Sequence, residues 1–289
     1  QAGGPFFFKQ PTPGTLNSTP ASLGFVADTV FSHKRGIYSA PFTLTITSAT
    51  PGATIRYTTD GSKPTATTGT AVLPANANTP PVATISVNGT RVIRAAAFKT
   101  NWDPTNVDTN TYLFPDDVIT QSPLGTPPAG WPGGTVNGQV LDYGMDPDVV
   151  NGIVVPPPNG GAAAVKAALQ AIPSVCLNLP VSSLMDGATG IYTHAGNDGF
   201  AWEREASIEM LNDTLNTAGG FQENCGLRIR GGFSRSGDNP KHAFRVIFRG
   251  DYGAGKLDYP VFGADDKAAV EFDKFDIQTA QNYSWSFGG

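Results

Sequence analysis

The chain has 289 residues, 39% hydrophobic and 15% charged, with net charge −5 and pI near 5.1. That length suggests about two domains, the acidic balance argues against nucleic acid as a partner, and no apolar run approaches the ~18 residues of a membrane-spanning helix. Neither GxGxxG nor GxxxxGK[ST] occurs, which excludes the usual dinucleotide and P-loop phosphate cradles.

From residue 25 to 114 the pattern is that of short strands. Phe42–Thr47 and Thr54–Thr59 alternate with period two, and Thr90–Phe98 is apolar and β-branched before turning Ala-rich. About five such runs at short spacing predict an antiparallel β-sandwich. Asp60-Gly61-Ser62-Lys63-Pro64 supplies a turn with a positive-φ residue and a stiff exit. Residues 115–161 read as a linker dense in Pro and Gly, ending at Pro156-Pro157-Pro158; its Trp131, Tyr143 and Met145 predict that it packs on a neighbouring domain. Ala162–Ile172 predicts a helix that stops before Pro173. Beyond it the strand pattern returns at Ser174–Leu179, Ala206–Leu211, Gly226–Arg230, His242–Arg249 and Lys274–Thr279, with the second and third expected to pair. In His242–Arg249, Phe244, Val246 and Phe248 share one face and Arg245, Ile247 and Arg249 the other. The fold class is therefore mainly β: an Ig-like sandwich followed by a β-rich α+β domain over 162–289.

Three stretches carry family resemblances. Ile55-Arg-Tyr-Thr-Thr-Asp-Gly-Ser-Lys-Pro-Thr65, followed by Val92-Ile-Arg-Ala-Ala-Ala-Phe98, resembles the Ig-like module at the C-terminus of chitobiases and β-hexosaminidases. That resemblance implies an accessory spacer across 25–114. Gly4-Pro-Phe-Phe-Phe-Lys-Gln-Pro-Thr-Pro-Gly-Thr-Leu-Asn17 resembles the last strand and exit of a bacterial lamin-tail domain, so that residues 1–24 would close such a domain. Gly190-Ile-Tyr192, Trp202-Glu-Arg204, Leu227-Arg-Ile-Arg-Gly-Gly-Phe-Ser-Arg235, Pro240-Lys241 and Phe262-Gly263 resemble the spore-coat CotH family of atypical secreted kinases and their non-kinase relatives. This implies an N-terminal part of a CotH-like domain, whose ATP and Mg would need acids from a later lobe. His242 after Lys241 departs from the frequent Pro-Lys-Lys form. The first residue is Gln1 and the last four are Ser286–Gly289 after an aromatic stretch, which reads as a chain truncated at both ends.

Residues 227–249 hold six basic side chains and one acid, Asp238. Guanidinium forks suit phosphate, so Arg230, Ser234, Arg235 and Lys241 are candidate phosphate- or nucleotide-binding residues. The competing reading is that these arginines line a solvent face and pair with Glu203, Glu205 or Glu209; a glycosidase role for those glutamates is the weaker alternative to a charged strand face. Asp142, Asp146 and Asp148 invite calcium, a cation that takes several oxygen ligands, against an ordinary turn. Cys176 and Cys225 are the two cysteines; an exported chain would allow them to pair, the alternative being two buried thiols. No nucleophile–base dyad is evident around His33, His194 or His242, and no catalytic residue is assigned.

These readings converge on a non-catalytic piece of a large exported bacterial surface protein, extracellular, with a structural, spacer or adhesive role. Its expected partners are other surface-protein domains, copies of itself or a glycan. The alternatives are the N-lobe of a CotH-type ATP-dependent kinase, and a carbohydrate-binding accessory module using Trp102 or Trp131.

Overall fold

A computed structural model describes residues 22–279, except 123, 124, 215, 217, 218, 238, 240 and 264–266, together with Phe7 and Gly14. Most of the lamin-tail-like stretch, and Pro240 of the CotH-like pattern, lie outside the described residues. The chain divides into two compact units. One comprises residues 1–34, 41–88 and 93–110; the other comprises 35–40, 89–92 and 111–289.

The N-terminal strands are β1 (Thr29–Phe31), β2 (Gly36–Ile37), β3 (Phe42–Ser48), β4 (Thr54–Thr58), β5 (Thr70–Val72), β6 (Val82–Val87), β7 (Arg91–Phe98) and β8 (Asp108–Leu113). They form two sheets, β1-β3-β6 and β2-β8-β7-β4-β5, the arrangement of an Ig-like module. The period-two pattern explains the first sheet. Leu44 and Ile46 of β3 and Ala83, Ile85 and Val87 of β6 are buried, while Thr43, Thr84 and Ser86 between them are exposed. Each buried Leu or Ile contributes about 1.5–3 kcal/mol. Strand β7 is buried on both faces from Ile93 to Ala97, which its run of small side chains permits.

The turn after β4 is built by its own polar groups. Gly61 takes φ +79°. The Asp60 carboxylate accepts from the Ser62 amide at 3.0 Å and the Ser62 hydroxyl at 2.6 Å, and these bonds hold its pKa below the ordinary value. Arg94, 1% exposed, donates to the Gly61 carbonyl at 2.9 Å, and Thr58 Oγ1 donates to the Ser62 carbonyl at 2.5 Å. The motif recognised in the sequence is thus a folding device.

Downstream lie α1 (Pro115–Ile119), β9 (Thr135–Val136), β10 (Gln139–Val140), α2 (Pro147–Val150), α3 (Gly161–Ala171), β11 (Ser174–Asn178), α4 (Val181–Met185), β12 (Arg204–Leu211), β13 (Gln222–Arg230), β14 (Ala243–Ile247), β15 (Leu257–Asp258), β16 (Glu271–Phe272) and β17 (Lys274–Ile277). The predicted helix is α3, displaced by one residue at each end. Residues 115–161 belong to the second unit, where α1 and α2 both pack on α3 and the Trp131 ring meets Tyr143 edge-on at 5.6 Å.

The central sheet of the second unit runs β11-β12-β13-β14-β17, every neighbouring pair antiparallel. Strands β12 and β13 pair as the sequence predicts, Ala206 opposite Cys225 and Arg204 opposite Leu227. One face is apolar: Ala206, Ile208, Cys225, Leu227, Ile229, Val246 and Phe248 sit in one core cluster with Ile191 and Leu257. The predicted division of β14 holds, with Phe244 and Val246 on this side.

The register overturns the expected disulfide. Cys176 lies opposite Glu209 and Cys225 opposite Ala206, so the two cysteines occupy opposite faces of strands two apart. Two interstrand steps and three residues of offset separate their Cα atoms by about 14 Å, far beyond the roughly 7 Å a disulfide can span. No bond joins them. Burial and the nearby Glu209 charge push the Cys176 thiol up to about 12, which leaves it protonated and unreactive.

Candidate functional site

The second face of the same sheet is polar because residues one position out of phase with the core face it. Arg228 of β13 and Arg245 of β14 stand directly opposite each other, and like charges at such positions repel. Each is therefore held by an acid. Asp276 on β17 receives Arg245 Nε at 2.7 Å and Nη2 at 3.0 Å, together with Arg230 Nε at 2.8 Å. The two guanidiniums hold its carboxyl below the usual range and raise the Arg245 pKa in turn.

Glu203 anchors the other side. Its carboxylate has no exposed surface, accepts from Arg228 Nε at 2.6 Å and from Arg249 Nη2 at 3.4 Å, and lies within ion-pair distance of Arg249 Nε at 3.1 Å. It lies over Gly226: a Cβ there would come within 2.5 Å of Glu203 Oε1 and 2.7 Å of the Tyr252 ring. Burial and a hydrogen bond to Glu203 both raise the Tyr252 pKa.

These pairs frame a cavity of about 480 Å³ lined by Arg228, Arg230, Arg235, Arg245, Asp198 and the Gly231–Gly232 turn. Of the four predicted phosphate residues, Arg230 and Arg235 line it and Ser234 and Lys241 do not. Gly231, at φ +124°, leaves room for the Ser234 hydroxyl, which would stand 1.9 Å from a Cβ there. Arg228 and Arg245 were absent from the predicted set. The strand register brings them in, and only the period-two phase of 226–230 and 243–249 hints at it. The solvent-face reading of the arginines holds in part: Arg228 and Arg249 pair with Glu203, whose carboxylate is buried, while Arg230 and Arg245 pair with Asp276 and Arg235 with Asp198.

His242 explains how the turn beside the cavity is fixed. It is 2% exposed; Nδ1 bonds the Ser234 carbonyl at 3.0 Å and Nε2 meets the Asn137 amide at 3.3 Å. With Asn137 as donor, Nδ1 carries the proton. Replacing His242 with alanine removes both bonds and leaves a buried gap. The expected loss is about 1–3 kcal/mol, read from the midpoint of a urea titration; an unchanged midpoint would contradict the assignment.

A second buried carboxylate, Glu209, lies on the polar side of β12. It accepts from the Thr111 amide at 3.0 Å, from the Thr111 hydroxyl, and from Asn178 Nδ2 at 2.8 Å. Burial outweighs these bonds and raises its pKa to about 7, with Arg35 pulling it down. Sequence reasoning placed Glu209 on a solvent face; the structure buries it completely.

The calcium expectation does not hold. Asp142 Oδ1 accepts from the Gly144 amide at 2.8 Å, and Asp146 caps α2 by accepting from the Asp148 amide at 2.8 Å. Each is spent on its own turn, and among the described residues no three His, Cys, Asp or Glu side chains could hold a metal ion.

The first unit has a cleft of about 470 Å³ beside Trp102, Lys99, Asn101, Arg56 and Thr54. Lys99 Nζ sits over the indole at 4.4 Å from its centroid, and Gly24 packs so tightly that a Cβ would meet the ring at 2.9 Å. Among the described residues no helix is long and apolar enough to cross a membrane.

Comparison with protein families matches residues 33–109 to the chitobiase/beta-hexosaminidase C-terminal domain. The match covers β2 to β7, the start of β8 and the turn after β4, and fits a non-catalytic accessory module. No curated protein matches the chain.

Proposed function

We propose that this chain is a structural spacer within a large exported bacterial surface protein, holding neighbouring domains apart outside the cell. The observation that carries this reading is the use to which the Ig-like module puts its signature: Asp60, Gly61, Ser62 and Arg94 bond one another and the backbone, so its most specific residues build a turn and leave no ligand site. The match over 33–109 supports the accessory role. The low charge and the succession of β modules suit a chain that must stay extended and inert. The CotH-like resemblance of the second unit points to the same exported setting.

The test is protease shaving. Trypsin added to intact cells making the full-length protein should remove it from the cell fraction while a cytosolic marker survives. Full protection of the protein until lysis would overturn the reading.

A further inference from the structure

The geometry points to the arginine cavity on the polar face of the β11-β12-β13-β14-β17 sheet as a binding site for a small oxyanion of two or more negative charges, of the diphosphate class, with no nucleoside attached. The directly opposed Arg228 and Arg245 cost stability in the protein alone, and an anion between them would reverse the sign of that interaction. The acids orient Arg228 and Arg230 without consuming them, whereas Asp276 takes both Nε and Nη2 of Arg245. Glu203 takes only Nε of Arg228, and Asp276 only Nε of Arg230. Among the described residues, the terminal nitrogens of both arginines bond no protein acceptor. Arg235 gives Nη1 to Asp198 at 3.1 Å, and its buried Nε has no partner.

The charge balance agrees. Four guanidiniums (Arg228, Arg230, Arg235 and Arg245) line the cavity against one lining carboxylate, Asp198, while Glu203 and Asp276 hold the arginines from its margin, so the lining itself is predominantly positive. Adjacent guanidiniums favour a multiply charged anion, and their forks favour an oxyanion that accepts two parallel bonds. The volume of about 480 Å³ admits two linked tetrahedral groups. None of the described lining residues is aromatic, and Ile229 is the single large apolar one, so the cavity offers no aromatic ring of its own for a base to stack on. Asp198, with 70% of its side chain exposed, occupies Arg235 as a displaceable stand-in for the ligand.

Isothermal titration at low salt tests this with inorganic pyrophosphate, sulfate, tripolyphosphate and ATP as probes. Pyrophosphate should bind one to one, and more weakly as salt rises. The double variant R230K/R245K keeps every charge but loses the forks; it should bind pyrophosphate at least about tenfold more weakly under conditions where its circular dichroism shows it folded. Asp198→Asn frees Arg235 and should tighten binding several-fold, a gain that a purely structural role for these arginines would not produce. Absence of pyrophosphate heat, equal affinity in the lysine variant, or looser binding in Asp198→Asn would each overturn the site. ATP binding more tightly than tripolyphosphate would overturn the ligand class, since it would require a base platform that the cavity lacks.

Discussion

Glu209→Gln is expected to stabilise the protein at pH 8 and to have little effect at pH 5. Burial raises the Glu209 pKa from its ordinary value to about 7, so the folded chain holds this proton more tightly than the unfolded chain does. For a carboxyl shifted upward, the stabilisation is complete below the unfolded pKa and is lost as pH rises through the folded value. The loss therefore accrues between about pH 4.5 and pH 7 and amounts to about 3 kcal/mol on the alkaline side. Glutamine is neutral throughout and keeps an oxygen for the Thr111 amide. At pH 8 the variant should gain about 1–3 kcal/mol over the parent, the lower bound allowing for the amide group that must face Thr111 and Asn178. Calorimetric melts of both proteins from pH 5 to pH 9 make the comparison. Two Tm curves that stay parallel would show that Glu209 remains charged when folded.

The opposite sign holds for Glu203. Its buried carboxylate faces both Arg228 and Arg249, and Glu203→Ala leaves the two cations side by side on the polar face without it. Because both arginines reach solvent, the expected loss is about 1–3 kcal/mol. The same carboxylate sits where a side chain at position 226 would go, so Gly226→Ala in the parent forces it aside. In the Glu203→Ala background that clash is reduced to the one with the Tyr252 ring. Denaturant titrations of the two single variants and the double should show coupling: Gly226→Ala costs less once Glu203 is gone. Strict additivity would mean that Gly226 is needed for its backbone alone.

Much of the scaffold is legible in the sequence because single-faced strands and one Ala-rich helix announce themselves by period. Phe42–Ser48, Arg91–Phe98 and Ala243–Ile247 form strands within two residues of their predicted ends at the C-terminal side, and Gly161–Ala171 forms the helix. The short helices α1, α2 and α4 carry too few turns to show a period. The site is less legible because register decides it. Nothing in the local pattern says that Arg228 opposes Arg245, that Cys176 and Cys225 face opposite ways, or that Glu209 lies under Thr111. Each depends on which residues of two distant strands stand opposite, and β12 and β13 are separated by a long connection that sets no fixed offset. The acids mislead for a related reason: a glutamate in a strand usually signals solvent, yet Glu203 and Glu209 are buried among donors the sequence does not display.

The alanines at 95–97 have a consequence for how this module can diverge. Each has no exposed surface, with neighbours pressed against both sides of β7. A valine at any of them brings two extra carbons into filled space and costs about 1–3 kcal/mol. Sequence drift in such a strand is confined to alanine, glycine and serine, while exposed positions such as Ala66, Thr70 and Ala71 can vary in chemistry at little penalty. A lineage of these modules would keep its backbone layers at constant thickness and change character only along its rims.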